Sequence, residues 1–515
     1  MQNFLRRLPS LSYRTSFLWK ISLFIVGVGI VVGQLFHWIG IAGNLADAYG
    51  TTIEWQSDTA TGDFSEDPFT TYLDEIAAES SGIKFDSSWD ARINDSRFSE
   101  EEKTIARLLV VSLQQGSTPS AELERIAESS APPKFSNYAL GLYWLTRGLG
   151  YDAAAAFERE SKLHDSQAAI DRTIGIYSLK QDFDELVRLM DQPGFEELAN
   201  NSYLHMRKAL LQSDWLGLVY WILVNQYATA HWPMVLIAMI TGIAWFAFLI
   251  HAVDLWKARN QLLICALAVL LGAMSTTGTL FAVVIQEDLW GFTEKPDLIG
   301  GLIYCVAGIG LREELIKLLF FIPLLPFLLK QKNHVFALIV AGCVGLGFAA
   351  EENISYFGSS AALAGPGRFL TANFLHISAT ALCGYSLYRA ISTRWKELDY
   401  FLSTFLMVVL AHGLYDAFII VPALMEYSII SMIIYILLCY QMFNVFESIR
   451  PHTHKKISLS FVFSVALSVV LATSLGWAMS IFGMEGFRSI GADLAGLGII
   501  VIMFFRVINE PLIEN

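Results

Sequence analysis

Ten stretches of this chain are apolar over about twenty residues, the length of helix that crosses a bilayer core of roughly 30 Å. They fall near residues 17–42, 233–255, 261–284, 298–329, 334–357, 369–388, 398–422, 427–446, 457–483 and 487–506. In hydrocarbon every backbone polar group must be satisfied within the segment or a closed barrel, so such runs fold as helices. Composition agrees: of 515 residues, 54% are apolar and only 16% charged, with mean hydropathy +0.48. The net charge of −13 excludes a nucleic-acid binder with a basic footprint.

The acidity is concentrated in one place. Residues 41–215 hold 30 Asp and Glu against 15 Lys and Arg. This block therefore reads as soluble and set into a membrane protein. All five cysteines lie beyond it, in apolar stretches and without metal-ligand spacing, and read as small core residues. Residues 43–98, rich in Ser, Thr, Asp and Gly, read as a poorly structured linker. From Ser99 the pattern is helical, opened by a capping box of Ser99 with Glu102. Leu140-Gly-Leu-Tyr-Trp-Leu145 recurs as Ile174-Gly-Ile-Tyr-Ser-Leu179, an offset of 34 residues and the period of a tetratricopeptide hairpin. Residues 99–215 are thus expected to form an α-helical, tetratricopeptide-like domain of the kind that binds a protein or peptide.

Basic loops set the orientation. Arg6, Arg7, Arg14 and Lys20 precede or begin the first run, which places residues 1–42 as a cytoplasmic N-terminus and anchor. Alternation then puts Lys257 and Arg259, Lys330 and Lys332, Arg389 to Lys396, Arg450 to Lys456, and Arg506 inside. Both termini come out cytoplasmic and residues 43–232 outside. The short apolar piece 216–231 is read as interfacial. Ala46-Asp47-Ala48 resembles a signal cleavage site, but the long basic lead favours an uncleaved anchor. Residues 216–515 form the polytopic part, so the predicted fold is an all-α membrane bundle of about ten spans carrying the helical domain.

Charged side chains inside hydrocarbon are costly and mark function. Four runs carry them: Arg312-Glu313-Glu314-Leu-Ile-Lys317; Gly345-Leu-Gly347-Phe-Ala-Ala-Glu351-Glu352-Asn353; Asn373-Phe-Leu-His376; and His412-Gly-Leu-Tyr-Asp416. Counted from the basic ends at about 1.5 Å per residue, all lie roughly 20–27 Å deep, in the outer half of the membrane. A single polar cavity between four helices explains the shared depth. Glu313 with Lys317, and His412 with Asp416, are i,i+4 pairs on one helix face. Gly345 and Gly347 permit close helix approach. Carboxylates beside imidazoles in a low-dielectric site are the ingredients of general acid–base chemistry.

The order Glu-Glu-x-x-Lys, Gly-Phe-Ala-x-x-Glu-Asn, a membrane histidine, then a last histidine resembles the PrsW-type intramembrane proteases, relatives of the type II CAAX prenyl endopeptidases. Here the motifs are Glu313-Glu314-Leu-Ile-Lys317, Gly347 to Glu352-Asn353, His376 and His412, covering a protease core of about 298–422. That register makes Glu352 the motif glutamate and Glu351 a variable position. The resemblance implies an intramembrane endopeptidase of a bacterial cytoplasmic membrane, acting on membrane-anchored proteins such as anti-sigma-factor-like single-span regulators.

The residues then take roles. Glu313 or Glu314 accepts the proton of the attacking water; Glu352, His376 and His412 complete the catalytic set. Lys317, Asn353, Asn373 and Asp416 support it. This chemistry needs no cofactor. A zinc variant uses Glu313, Glu352, His376 and His412 as ligands with one open position. No His-Glu-x-x-His helix, Gly-x-Ser-x-Gly elbow or aspartate pair is present. Two other classes share parts of the pattern. An ion-coupled secondary transporter would repeat its polar sets, and none recurs; a non-enzymatic membrane sensor has no use for clustered glutamates.

Overall fold

The computed structural model describes residues 2–39, 67–79, 88–94, 97–115, 118–228, 232–356, 365–451 and 456–513. The cleavage-like Ala46-Asp47-Ala48 lies outside the described residues. Among the described residues the fold is all helical, apart from one isolated bridge between Arg14 and Ile513. The chain divides into two units, residues 52–225 and residues 1–51 with 226–515.

In the 52–225 unit, side chains open the helices where the sequence supplies them. Glu102 accepts from the Ser99 backbone N–H at 2.7 Å and Ser99 Oγ accepts in return at 3.3 Å, the reciprocal box expected. Ser120, Ser166, Asp182 and Asn201 cap later helices in the same way. The repeated hexapeptides fall on Ser136–Thr146 and Gln167–Leu179, each followed by a second helix, Gly150–His164 or Phe183–Leu189. A Cβ on Gly141 would meet the Phe157 ring at 2.8 Å, so glycine is what lets the first pair close. Glu160, fully buried, receives the backbone N–H groups of Phe135, Asn137 and Tyr138 at 2.5, 3.1 and 3.3 Å, and burial pushes its carboxyl above the usual range.

The linker expectation needs correction. Pro68–Glu79 and Ser88–Asn94 are helices within the stretch read as unstructured. Phe69, Leu73, Ile76 and Ala77 recur at i, i+4, i+7 and i+8, and with Trp89 and Ile93 they join the same core as the later helices. Flanking Ser, Thr and Asp diluted that short apolar stripe in the composition.

Among the described residues of the other unit all ten apolar runs are helical, and seven helices are long and apolar enough to cross a membrane: Thr15–Trp38, Val235–Ala252, Arg259–Leu289, His334–Ile354, Leu398–Ile420, Ile429–Ile449 and Leu459–Arg488. Multi-pass membrane insertion follows from these. The other three depart from a plain span for visible reasons. Leu298–Gln331 is interrupted by a π-helical stretch at Tyr304–Gly310 and by a 3-10 turn at Ile322–Leu324, where Pro323 and Pro326 remove backbone donors. Gly365–Ser392 is long but carries Asn373, His376 and several buried Ser and Thr. Gly491–Val507 has only 17 residues. The helix Trp215–Ala228 takes in the described part of the piece read as interfacial, residues 216–228; at about 21 Å it is too short to span.

Candidate active site

Glu313, Glu314 and Lys317 sit in the first two turns of Leu311–Phe321, immediately after the π-helical stretch. A Cβ on Gly310 would meet the backbone of Val409 and Gly413, and one on Gly413 would meet Cys305 and Val306. Two glycines thus bring this helix against Leu398–Ile420 one residue from His412. His412 Nδ1 lies 2.8 Å from Glu314 Oε1, and its Nε2 lies 3.7 Å from Glu313 Oε2 and 3.5 Å from Asp416 Oδ2. Lys317 Nζ, on the same helix as both glutamates, donates to Glu313 at 3.1 Å and Glu314 at 3.0 Å.

The other half comes from His334–Tyr356 and Gly365–Ser392. A Cβ on Gly345 would fall on the His376 carbonyl, so the two helices touch backbone to backbone. Glu352 lies two turns further along that face and reaches His376 Nε2 at 2.9 Å. His376 Nδ1 accepts from Lys317 Nζ at 2.9 Å. The Lys317 contact makes Nδ1 the acceptor, which leaves the proton on Nε2, facing Glu352. One residue past Glu352, Asn353 Nδ2 donates to Asn373 Oδ1 at 3.1 Å, leaving Asn353 Oδ1 and Asn373 Nδ2 buried with no hydrogen-bond partner among the described residues.

All eight of these side chains other than Asp416 belong to buried residues; Glu314 and Lys317 are wholly so. The rings of His376 and His412 lie 5.1 Å apart. Glu313, His376 and His412, from three different helices, each offer a ligand-type atom within 4.8 Å of the other two. Glu352 approaches the group through His376 and is not itself within that trio.

Residues 260–442 match the PrsW family intramembrane metalloprotease. The motif resemblance is therefore shown over that segment, where the chain is similar to the intramembrane proteases of that family. No curated protein and no solved structure matches the chain. The PrsW match is wider than the core read from the motifs: it takes in all but the first residue of Arg259–Val284 before residue 298 and most of Ile429–Ile449 after residue 422. The physical reason for the first is direct. Gly347 and Gly272 bring Arg259–Val284 against the Glu352 helix, a Cβ on either meeting backbone of the other helix.

Some contacts were not legible in the spacing. Phe348 lies under the Lys317 ammonium at 3.8 Å, a cation–π contact in a water-poor interior. The Phe of the Gly-Phe-Ala motif was the available signal. Arg312 is turned away from the cluster and donates to Gln286 at 3.0 Å. Glu351 also faces elsewhere, accepting from Gln226. His452 and His454 lie outside the described residues.

Proposed function

We propose that the protein is an intramembrane endopeptidase that hydrolyses peptide bonds in the membrane-proximal part of membrane-anchored protein substrates, with Glu313, His376 and His412 around the reacting water. The observation that carries this reading is the convergence of those three buried donors from three helices. One carboxylate and two imidazoles form a donor set typical of catalytic zinc. Three buried carboxylates, Glu313, Glu314 and Glu352, with Asp416 beside His412, outnumber the ammonium of Lys317, an excess that a dication would offset. Glu313, His376 and His412 would hold such an ion, with one His376 nitrogen released from its present contact to Lys317 or Glu352, and it would supply a polarised water.

The chain's own groups do the rest. Glu314 accepts from His412 Nδ1, which fixes the tautomer and leaves Nε2 free toward Glu313. Glu352 Oε2, beside His376 Nε2, is the carboxylate best placed to take the proton of the attacking water. Lys317 donates to both Glu313 and Glu314 and holds the two carboxylates in place. The orphan acceptor on Asn353 and orphan donor on Asn373 match the N–H and C=O of a substrate backbone. A second reading rests on Lys317 Nζ, a cation already lying between Glu313 and His376. In that reading no metal is needed, and Glu313 itself takes the water proton.

The wider assignments belong to the same reading: ten spans, both termini cytoplasmic in a bacterial inner membrane, residues 43–232 outside, and single-span regulators as substrates. The hairpins of the 52–225 unit act as a tetratricopeptide-like domain that binds a protein or peptide and selects substrates. A reporter fused near Ser130 should be active only outside; activity confined to the cytoplasm would overturn the orientation. Full-length protein in liposomes with a tagged single-span substrate tests the chemistry. Chelator should stop cleavage and added zinc restore it. Cleavage untouched by chelator selects the second reading, and no cleavage by the wild type of any membrane-anchored substrate removes the protease reading. A deletion of residues 67–212 that inserts well should change which substrates are cut; loss of all cleavage would count against the division of labour.

A further inference from the structure

Glu351 and Glu352 are neighbours that look to opposite sides. Gly345 shares the face of Glu352 toward His376, whereas Gly347, four residues before Glu351, faces the backbone of Val269 and Ala273 in Arg259–Val284. On that second face Glu351 Oε1 accepts from Gln226 Nε2 at 2.8 Å. The other end of the same amide, Gln226 Oε1, accepts from Thr277 Oγ1 of Arg259–Val284 at 3.0 Å. The Tyr227 hydroxyl also bonds Glu351. Gln226 is only 5% exposed, so its amide is a buried link with both ends used.

The placement matters because Glu352 and Asn353 lie in the last turns of His334–Tyr356. The glycine contacts hold this helix further back, at residues 345 and 347, one to two turns before Glu352. The hydrogen bonds through Glu351 hold it at the residue next to Glu352.

We propose that Gln226, supported by Thr277 and Tyr227, is a positioning residue for the active site: it holds Glu351, and through it the end of the helix that presents Glu352 to His376 and Asn353 to Asn373. This rests on the protease reading, so the test includes a measurement that does not need cleavage. In the full-length protein in liposomes, Gln226→Leu and Glu351→Leu should lower kcat by roughly 10- to 100-fold, the scale of an ångström-level misplacement, with KM little changed. Glu351→Gln keeps an acceptor for Gln226 and Tyr227 and should recover most of the rate. Hydrogen exchange of residues 350–356 should speed up in both leucine variants and not in Glu351→Gln, while Leu398–Ile420 stays protected. If the wild type cuts nothing, the exchange pattern alone decides the positioning role. Should Gln226→Leu lose protection everywhere, Thr277→Val replaces it, with a smaller fall in kcat and faster exchange confined to residues 350–356. Wild-type kcat and wild-type exchange in Gln226→Leu, or in Thr277→Val where it stands in, would overturn the proposal.

Discussion

Glu313→Gln should reduce peptide cleavage by roughly 10²–10⁴-fold, the range lost when a proton-transfer or ligating carboxylate is removed. The amide keeps the size of the side chain, and the residue is buried, so the helix contacts survive. What goes is a charged oxygen that lies 3.1 Å from Lys317 and 3.7 Å from His412. His412→Ala should be equally inactive, since it removes the other donor on that side. Glu314→Gln separates the roles: its carbonyl can still accept from His412 Nδ1, so a residual rate above that of Glu313→Gln is expected. The adjacent pair gives a further contrast. Glu352→Gln should be severely impaired and Glu351→Gln active, because only Glu352 meets His376. Full cleavage by both Glu313→Gln and Glu352→Gln would remove the site from consideration.

The helices were legible because a bilayer leaves the backbone few alternatives. The run read as 334–357 is the helix His334–Tyr356, and 398–422 is Leu398–Ile420. The ionisable residues were legible for a related reason: each is expensive in hydrocarbon and therefore conspicuous. Similar distances from the basic ends were the reason to expect that Glu313, Glu314, Lys317, Glu352, His376 and His412 could meet, and these side chains lie together in the fold. Depth does not fix rotation, however. That Lys317 bonds His376, or that Glu314 bonds His412, depends on which helices cross at Gly310, Gly345 and Gly413, and crossing angles are tertiary facts. Gln226 escaped notice because it is uncharged and stands 125 residues from its partner Glu351. The helix Pro68–Glu79 was hidden for the opposite reason: a polar, low-hydropathy neighbourhood masked a stripe of only four apolar residues that gains its stability from the core it joins.

Lys317→Met should be the most destabilising single change in the membrane core. The ammonium is fully buried and touches Glu313, Glu314 and His376, with the Phe348 ring beneath it. The methionine fills most of the same volume, so packing is nearly conserved and the effect isolates the charge. Removing one partner of a buried ion pair costs about 3–5 kcal/mol, because the carboxylates left behind have given up water without compensation. The loss should appear as a lowered thermal midpoint of the full-length protein in detergent and as faster exchange along Leu311–Phe321. Pairing the change with Glu314→Leu distinguishes electrostatics from shape. That double variant removes a carboxylate together with the cation, and so should be more stable than Lys317→Met alone, even though Glu314→Leu by itself takes from the lysine one of its two carboxylate partners. Activity need not return, since His412 would then lack the acceptor at Nδ1. A Lys317→Met protein as stable as the wild type would mean that the three carboxylates do not rely on this cation, and the charge argument for the site would have to be abandoned.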